Sequence, residues 1–590
     1  MSADAAAARG AATIPADRGW RWLFVVLVLL TLLVRLAALD VDPTRTMPEA
    51  SLMDEGIWAD GARGDLLFHD YFADDTGDAY LMAPLHTFVL RGVFQLFGIG
   101  LWQVRLPSAL ASVLLATVLG LWVARRRGAR AGCLVVTVLA LCPLFDQHAR
   151  VNLLESSQVA WTCLAFCLLF ARRPRGWRAL LAGVAMAAAF ATKPNAVQFG
   201  ALPLAAAFLI DWRAAALAGE PGCHRQRLRT ALLATAGGLL GFALLVLPVW
   251  WSHWPSVVET ANAESGNANW TLADHLLHLG SIGTRNTDGM HFVWALLRHA
   301  IALSFGAWIF CLAKALGRSG PCSRDERLLL TWLLVILVVA ELSYQHVGRR
   351  QLHLLAPMAA LLAYPGLGHA RSTAAAVARP NLAWFLLLLP VWLLLKPRAC
   401  RLLAASTWLA DNHRTAGEVA GLLLFLPFFL SLLLPWRRHA AAIAAPLLRA
   451  APAVFVLLLL AELPRLGCLP PYQRTITAAQ QAMAELVRAD QRAQPPEVVL
   501  GQSASLLFMK APVRAVRRNQ PGLHWSSGRP NPEVFTKLHP RYLLDYQDPE
   551  QREMADLSAR GYHVIASTGY LREADDTLRY ALELFERDKP

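Results

Sequence analysis

The chain has 590 residues, of which 56% are hydrophobic and 17% charged, and its mean hydropathy is +0.38. That excess of apolar residues, gathered in blocks rather than alternating with polar ones, excludes a soluble globular protein of this length. The formal net charge of +14 would suggest a nucleic-acid partner in a soluble chain. Here the basic residues sit in short loops between apolar blocks, which points to membrane topology and not to nucleic acid.

Residues 1–21 are Ala-rich, carry Arg9, Arg18 and Arg21, and show no apolar period, so they are expected to form a short cytoplasmic tail. The first apolar run, Trp22 to Leu39, lacks an A-x-A cleavage site and reads as a retained span, not a signal peptide. The apolar blocks are commonly 16 to 22 residues long, close to the roughly 20 that a helix needs to cross the hydrocarbon. Crossings are predicted at 22–40, 105–124, 131–146, 156–171, 178–193, 196–211, 230–251, 292–313, 328–344, 353–367, 382–396, 417–435 and 441–463. Under that count of about thirteen, the Arg-rich loops (Arg125-Arg126-Arg127, Arg172-Arg173, Arg225 to Arg229, Arg437-Arg438) all fall on the cytoplasmic side and the carboxyl terminus outside. The basic loop Lys396 to Arg414 makes 382–396 and 417–435 the weakest spans, and losing both leaves the parity unchanged.

Three stretches interrupt this rhythm. Residues 41–104 form an outer loop with Asp54, Glu55, Asp60, Asp65, Asp70, Asp74, Asp75 and Asp78, interleaved with amphipathic runs such as Ala83 to Phe97 that suit interfacial helices. Residues 252–291 form a second outer loop rich in Trp and His. Residues 467–590 change character and read as an extracytoplasmic α/β domain. Helices are expected over Thr475 to Arg492 and Pro549 to Arg560, and strands over Glu497 to Leu500, Val513 to Val516, Tyr542 to Asp545 and His563 to Ala566. The domains are therefore the tail 1–21, a membrane domain 22–466 and the soluble domain 467–590.

The nine cysteines are scattered, mostly singly within apolar segments, with no CxxC pair and no zinc spacing, so they read as small buried hydrophobes. No GxGxxG or Walker pattern supports a nucleotide.

Ionisable groups near a membrane are costly unless hydrated or paired, which singles out Asp54-Glu55 just beyond the first span. The same outer side collects Arg105, the segment Asp146 to Asn152 with Arg150, Glu155 at the head of the fourth span, Lys193-Pro194-Asn195 at a bend, and Arg349-Arg350. Each alone is an ordinary loop acid or snorkelling anchor. Together they supply carboxylates for proton transfer and cations for a phosphate.

The order Met53-Asp54-Glu55-Gly56-Ile57-Trp58, Ala83-Pro84-Leu85, Val104-Arg105-Leu106-Pro107-Ser108-Ala109-Leu110, Ala149-Arg150 with Glu155, Ala191-Thr192-Lys193-Pro194, and Arg349-Arg350-Gln351-Leu352-His353-Leu354-Leu355-Ala356-Pro357 resembles the membrane-embedded GT-C glycosyltransferases. Within them it is most similar to the protein O-mannosyltransferase and lipid A aminoarabinose transferase group, over about residues 20 to 365. The resemblance implies an inverting hexosyl- or pentosyltransferase taking its sugar from a polyprenyl-phosphate carrier. Asp54 would be the general base or acceptor-positioning acid, accompanied by Glu55, with Glu155 in place of a family Asp. A lysine that aminoarabinose transferases carry is replaced by the Leu81-Met82-Ala83-Pro84-Leu85 stretch. Carrier-phosphate binding would then fall to Arg105, Arg150, Lys193, Arg349 or Arg350, and lipid A as acceptor is put in doubt.

Several family members use a divalent metal, and His69, His86, His253, His275, His278 and His291 lie on the outer side without a ligand spacing such as HExxH, so the metal stays open. The acceptor also stays open among protein, lipid, glycan and secondary metabolite. The Ala, Arg and Leu bias suggests a GC-rich bacterial genome and hence a plasma (inner) membrane. A transporter or flippase for a lipid-linked solute is the alternative, with a glycan ligase or polymerase as the third. Transporters place charges at mid-bilayer and commonly show repeats in matched halves, whereas these charges gather at one surface.

Overall fold

The computed structural model describes residues 18–41, 50–71, 77–172, 175–257, 300–316, 322–342, 352–364 and 440–466, with shorter stretches between 382 and 587. The chain is an α-helical, multi-pass membrane protein. Its helices are α1 Arg18–Leu36, α2 Ala50–Phe68, α3 Gly77–Met82, α4 Pro84–Phe97, α5 Leu101–Arg127, α6 Ala129–Ala140, α7 Pro143–Ala149 and α8 Leu154–Leu169. They continue with α9 Gly176–Thr192, α10 Leu202–Leu217 preceded by a π turn Val197–Ala201, α11 Cys223–Leu245, α12 Leu247–Ser252, α13 Ile301–Ala315, α14 Arg324–Leu342, α15 Leu352–Leu362 and α16 Ala440–Glu462.

By length and composition, five of these segments can cross a membrane unaided: α1, α5, Val197–Leu217, α11 and Ile443–Arg465; α6 and α7, bent by 66°, make a sixth. The bend follows from Pro143 at the start of α7, which cannot continue the α6 hydrogen-bond ladder. The predicted span 131–146 is thus two helices, and 230–251 divides into α11 and α12 at Pro248. Shorter apolar helices α8, α9, α13 and α15 fill the interior. The spans expected at 382–396 and 417–435 fall largely or wholly outside the described residues.

Charged contacts sort to two ends of this bundle. Between Arg105 and Arg126, α5 rises about 30 Å, the thickness of the hydrocarbon. At the Arg126 end, Arg126 pairs with Asp325 at 2.5 Å, Lys314 with Glu326 at 2.8 Å, and Asp211 with both Arg324 (2.6 Å) and Arg227 (2.7 Å). At the Arg105 end lie Arg35, Glu55, Asp146, Arg150, Glu155 and Lys193, described below. Between the ends the core is apolar and aromatic: Trp122, Phe166, Phe170, Phe310 and Trp332 are buried together.

Backbones approach most closely where α9 meets α11. A Cβ on Gly183 would stand 1.9 Å from the Ala234 carbonyl oxygen, and one on Gly237 1.9 Å from that of Leu180. In a membrane, where lipid is as apolar as leucine, such close packing of small residues is what joins helices. Most of the remaining surface of α11 is exposed, including Leu228, Leu232, Leu239 and Leu244, as suits a lipid-facing helix.

The carboxyl-terminal region contributes a five-stranded mixed sheet: β1 Val498–Leu500, β2 Arg514–Val516, β3 Tyr542–Gln547, β4 Tyr562–Arg572 and β5 Arg579–Arg587, in the order β2-β1-β3-β5-β4. β1 is parallel to β2 and β3, whereas β5 runs antiparallel between β3 and β4. The first four strands lie where alternation predicts them; β5 was not foreseen. Of the expected helix Thr475 to Arg492, residues 477 and 480–485 are described as helical, while Pro549 to Arg560 lies outside the described residues.

Gly237→Ala should lower stability by about 1–3 kcal/mol, because the added methyl meets backbone and no flexible side chain can yield. Gly92→Ala on α4, where nothing lies within 4 Å, should leave the midpoint unchanged or raised. Thermal unfolding of the detergent-solubilised protein compares the two, and equal midpoints would remove the α9–α11 contact as a stabilising feature.

Candidate active site

The site end is built around Glu55 on α2, whose carboxylate is fully buried. Arg105 of α5 meets it with a bidentate pair, Nε to Oε1 and Nη2 to Oε2, both at 2.8 Å. The same guanidinium donates through Nη1 to the carbonyls of Leu39 (3.0 Å) and Val41 (2.5 Å) just beyond α1. Asn152, in the turn before α8, donates its backbone N–H to Glu55 Oε1 at 2.7 Å and its side-chain amide to the Glu55 carbonyl at 2.9 Å. With the amide so oriented, its oxygen faces His86 Nε2 at 2.9 Å, so His86 is the donor there. Burial pushes His86 down to about 4, against a smaller opposing pull from that hydrogen bond, and the ring is neutral near pH 7.

Arginine does parallel work at the neighbouring helix ends. The last carbonyls of a helix have no partners within it. Arg150 donates to the carbonyls of Val34 (3.0 Å), Ala37 (2.6 Å) and Ala38 (2.6 Å) at the end of α1. Arg35 donates to those of Leu139 and Ala140 at the end of α6, both at 3.2 Å, and pairs with Asp146. Arg105 and Arg150, expected as phosphate ligands, thus spend these donors on the protein's own backbone, where carbonyls at and beyond a helix end need partners. Glu55, expected beside Asp54 in catalysis, has both carboxylate oxygens engaged.

Lys193 stands differently. It follows α9, keeps 16% of its side chain exposed, and contacts Glu155 Oε1 at 2.5 Å. Its ammonium lies 5.8 Å from the centre of the Trp58 ring on α2. Glu155 is 2% exposed, and its second oxygen has no partner among the described residues. An apolar cavity of about 310 Å³ between α4, α5, α8 and α9, lined by Val89, Leu110, Leu114 and Trp161, reaches His86 and Thr192, the residue before Lys193. Asp54 directly precedes Glu55 on α2; its helix position alone is described. Arg349 and Arg350 lie outside the described residues, as do His275, His278 and His291.

The carboxyl-terminal region is attached at this end. Arg63 on α2, fully buried, donates to the carbonyls of Phe508 (3.2 Å), Met509 (3.1 Å), Ala511 (2.7 Å) and Val513 (2.6 Å). Thr477 donates to the carbonyl of Asp40 at 2.9 Å. Sequence reasoning missed Arg63 and named Asn152 and Trp58 only within a segment and a motif, without a role for either. For Trp58 a signal existed, its place one helical turn after Asp54; for Arg63 there was none, since its partners are backbone groups more than four hundred residues away.

Among the described residues no group of three or more His, Cys, Asp or Glu side chains converges as a metal site.

Residues 82–251 match the family of dolichyl-phosphate-mannose-protein mannosyltransferases, a stretch from the end of α3 into α12. Of solved structures, the chain is similar to ArnT from Cupriavidus metallidurans bound to undecaprenyl phosphate, with a TM-score of 0.56, 18% identity, and 96% of this chain and 98% of that one covered. The apo form of that protein gives a TM-score of 0.54 at 17% identity, with the same shares covered. The chain has the GT-C fold and resembles the protein mannosyltransferase and ArnT group. The Archaeoglobus fulgidus oligosaccharyltransferase, apo form, is more distant at a TM-score of 0.48 and 12% identity, covering 96% of this chain and 74% of that one. No curated protein matches the chain by sequence. The GT-C resemblance expected from the motifs is therefore carried both by a family match and by the fold.

Two measurements probe the site's framework. Glu55→Gln leaves Arg105 buried beside a neutral group and should cost about 3–5 kcal/mol of stability. That loss should shrink in an Arg105→Met background, whereas additive losses in a double-mutant cycle would show that the two do not act as a unit. For His86 the unfolded chain binds more protons than the folded one between about 4 and the ordinary 6.5. Stability should therefore be intact above that window and decline as pH falls through it. His86→Gln, which keeps a donor for Asn152 but cannot titrate, should flatten the decline; an unchanged acid sensitivity would assign it to other groups.

Proposed function

We propose that the chain is an inverting glycosyltransferase that moves a sugar from a polyprenyl-phosphate carrier to an acceptor on the non-cytoplasmic face of the membrane. The observation that carries this reading is the meeting, at one end of the bundle, of a partly exposed lysine, the Trp58 face of the helix bearing Asp54, and an apolar groove lined by Thr192, the residue before that lysine. The GT-C fold and the family match support it, as does the undecaprenyl phosphate bound to ArnT.

In this reading the groove between α4, α5, α8 and α9 takes the first units of the prenyl chain, and Lys193, next to the lining residue Thr192, receives the phosphate. Asp54 accepts the proton of the acceptor hydroxyl or amine as that group attacks the anomeric carbon opposite the phosphate. The bond from carbon to phosphate oxygen breaks with its electron pair leaving on the phosphate, so configuration inverts. A positioned carboxylate contributes typically 10² to 10⁴-fold to such a step, and a cation held in a partly dry site stabilises the charge on the departing phosphate. Glu55, Arg105 and Asn152 hold α2 in place for Asp54. Glu155 sets the position of Lys193, and Arg349 or Arg350 is kept as a second cation for the phosphate.

The Arg126, Arg227 and Arg324 end is assigned to the cytoplasm by the positive-inside preference. That gives a cytoplasmic amino terminus, about thirteen crossings, and an extracytoplasmic α/β domain over 467–590 in a plasma membrane. A transport role is less well supported, because among the described residues the ion pairs named above lie at the two ends of the bundle and not at its middle.

The test combines binding and turnover. Lys193→Gln should weaken binding of undecaprenyl phosphate to the purified protein by about tenfold or more. Asp54→Asn should retain that binding yet abolish whatever difference mass spectrometry finds in membrane lipids and surface glycans between cells with and without the gene. Near-normal product with Asp54→Asn would remove Asp54 from catalysis, and unchanged binding with Lys193→Gln would remove Lys193 from the carrier site.

A further inference from the structure

The lysine offered to the carrier is already half-committed. Lys193 Nζ lies 2.5 Å from Glu155 Oε1, and this glutamate is 2% exposed with its other oxygen unpartnered among the described residues. A site built only to attract phosphate has no use for a carboxylate at that position, since the pair carries no net charge. Such a site does suit a ligand with one negative charge and disfavours one with two.

Those are the charges of substrate and product in the reading above, on which this inference rests. A polyprenyl-phosphate sugar is a phosphodiester, a monoanion at any physiological pH. Once the sugar leaves, the carrier is a phosphomonoester whose second proton dissociates near pH 6, so it is largely dianionic at neutrality. We infer that the Glu155–Lys193 pair is a charge filter that accepts the diester donor and repels the spent monoester carrier. Lys193 supplies one ion pair to a bound diester, and the unpartnered Glu155 Oε2 accepts a hydrogen bond from a hydroxyl on the sugar. After transfer that hydroxyl is gone, a second negative charge faces Glu155, and the carrier is driven out.

Among the described residues the charged and titratable groups around the pair are few, and the second cation proposed at Arg349 or Arg350 would act on both ligands, leaving Glu155 as the charge that opposes the dianion. Glu155 stands on the first turn of α8, Lys193 follows α9, and His148 of α7 acts on Glu155 electrostatically. Trp58 of α2 lies against the ammonium, with Asp54 one turn before it on the same helix. Glu55 is turned to Arg105 and is not part of the filter.

The experiment compares two ligands on the full-length protein in detergent: undecaprenyl phosphate and its methyl diester, titrated at about pH 8, where the monoester is dianionic. The wild type should bind the diester at least as tightly as the monoester. Glu155→Gln should reverse that preference, tightening the monoester about tenfold relative to the diester, because one nearby unit charge has been removed. Glu155→Asp, which keeps the charge, should keep the wild-type order and controls for a loss of folding in the Gln variant. A ratio within about twofold of wild type in Glu155→Gln would overturn the filter while leaving the carrier site standing. If the wild type bound neither ligand, the carrier reading itself would fall.

Discussion

Much of the site end depends on one buried ion pair, Glu55 with Arg105. It joins α2, which the sequence would leave as a polar loop segment, to α5, one of the most apolar and longest helices of the bundle. Because Arg105 also holds the carbonyls of Leu39 and Val41, and Glu55 also holds the N–H of Asn152, the pair closes a ring of four segments: the end of α1, the start of α2, the head of α5 and the turn before α8. Desolvating two charges is expensive, and the pair is sustained by these extra hydrogen bonds more than by its own attraction. Its return is geometric: four segments far apart in sequence acquire one fixed relation.

The other arginines extend the same solution. A membrane protein must satisfy backbone carbonyls wherever a helix stops short of water. Here the carbonyls at and just beyond the ends of α1 and α6 are taken up by Arg150, Arg35 and Arg105, which reach over to serve as caps. The guanidinium is suited to this because it presents several donors in one plane, where an ammonium would be a single point. Arg63 applies the device to a different target, gathering four carbonyls of residues 508–513 and fixing the carboxyl-terminal region to α2. The carbonyls of Phe508, Met509, Ala511 and Val513 are satisfied by a side chain of α2, so these residues are packed against the site helix and not merely tethered to it.

This explains how much could be read in advance. Apolar runs report spans directly, so α1, α5, α8, α9 and α11 lie near their expected positions, and the amphipathic run Ala83 to Phe97 became α4. Breaks within spans were less legible, since Pro143 and Pro248 each sit inside a continuous hydrophobic stretch that hydropathy alone does not divide. Strand β5 was hidden because Ala581, Leu582, Glu583 and Leu584 favour helices intrinsically, and pairing with β3 and β4 overrides that preference. At the site, the gathering of Glu55, Arg105, Arg150, Glu155 and Lys193 at one end was legible from charge placement. Their partners were not. A sequence shows that an arginine lies near a surface, but the same residue type serves a phosphate or a helix end, and only the carbonyls around Arg105 and Arg150 tell them apart.

That division of labour gives the site its shape. With Arg105 and Arg150 committed to backbone and Arg35 to Asp146, Lys193 is the partly exposed cation that the described site residues present, next to Thr192 in the groove lining. A fully buried guanidinium cannot leave its carbonyls without orphaning them, so it is a poor ligand for a phosphate that must arrive and depart each turnover. A lysine on a flexible stem, held by one carboxylate and edged by an indole ring, can shift between partners at little cost. The arrangement therefore separates permanence from exchange: arginines hold the scaffold, and a lysine with its glutamate meets the charge that changes.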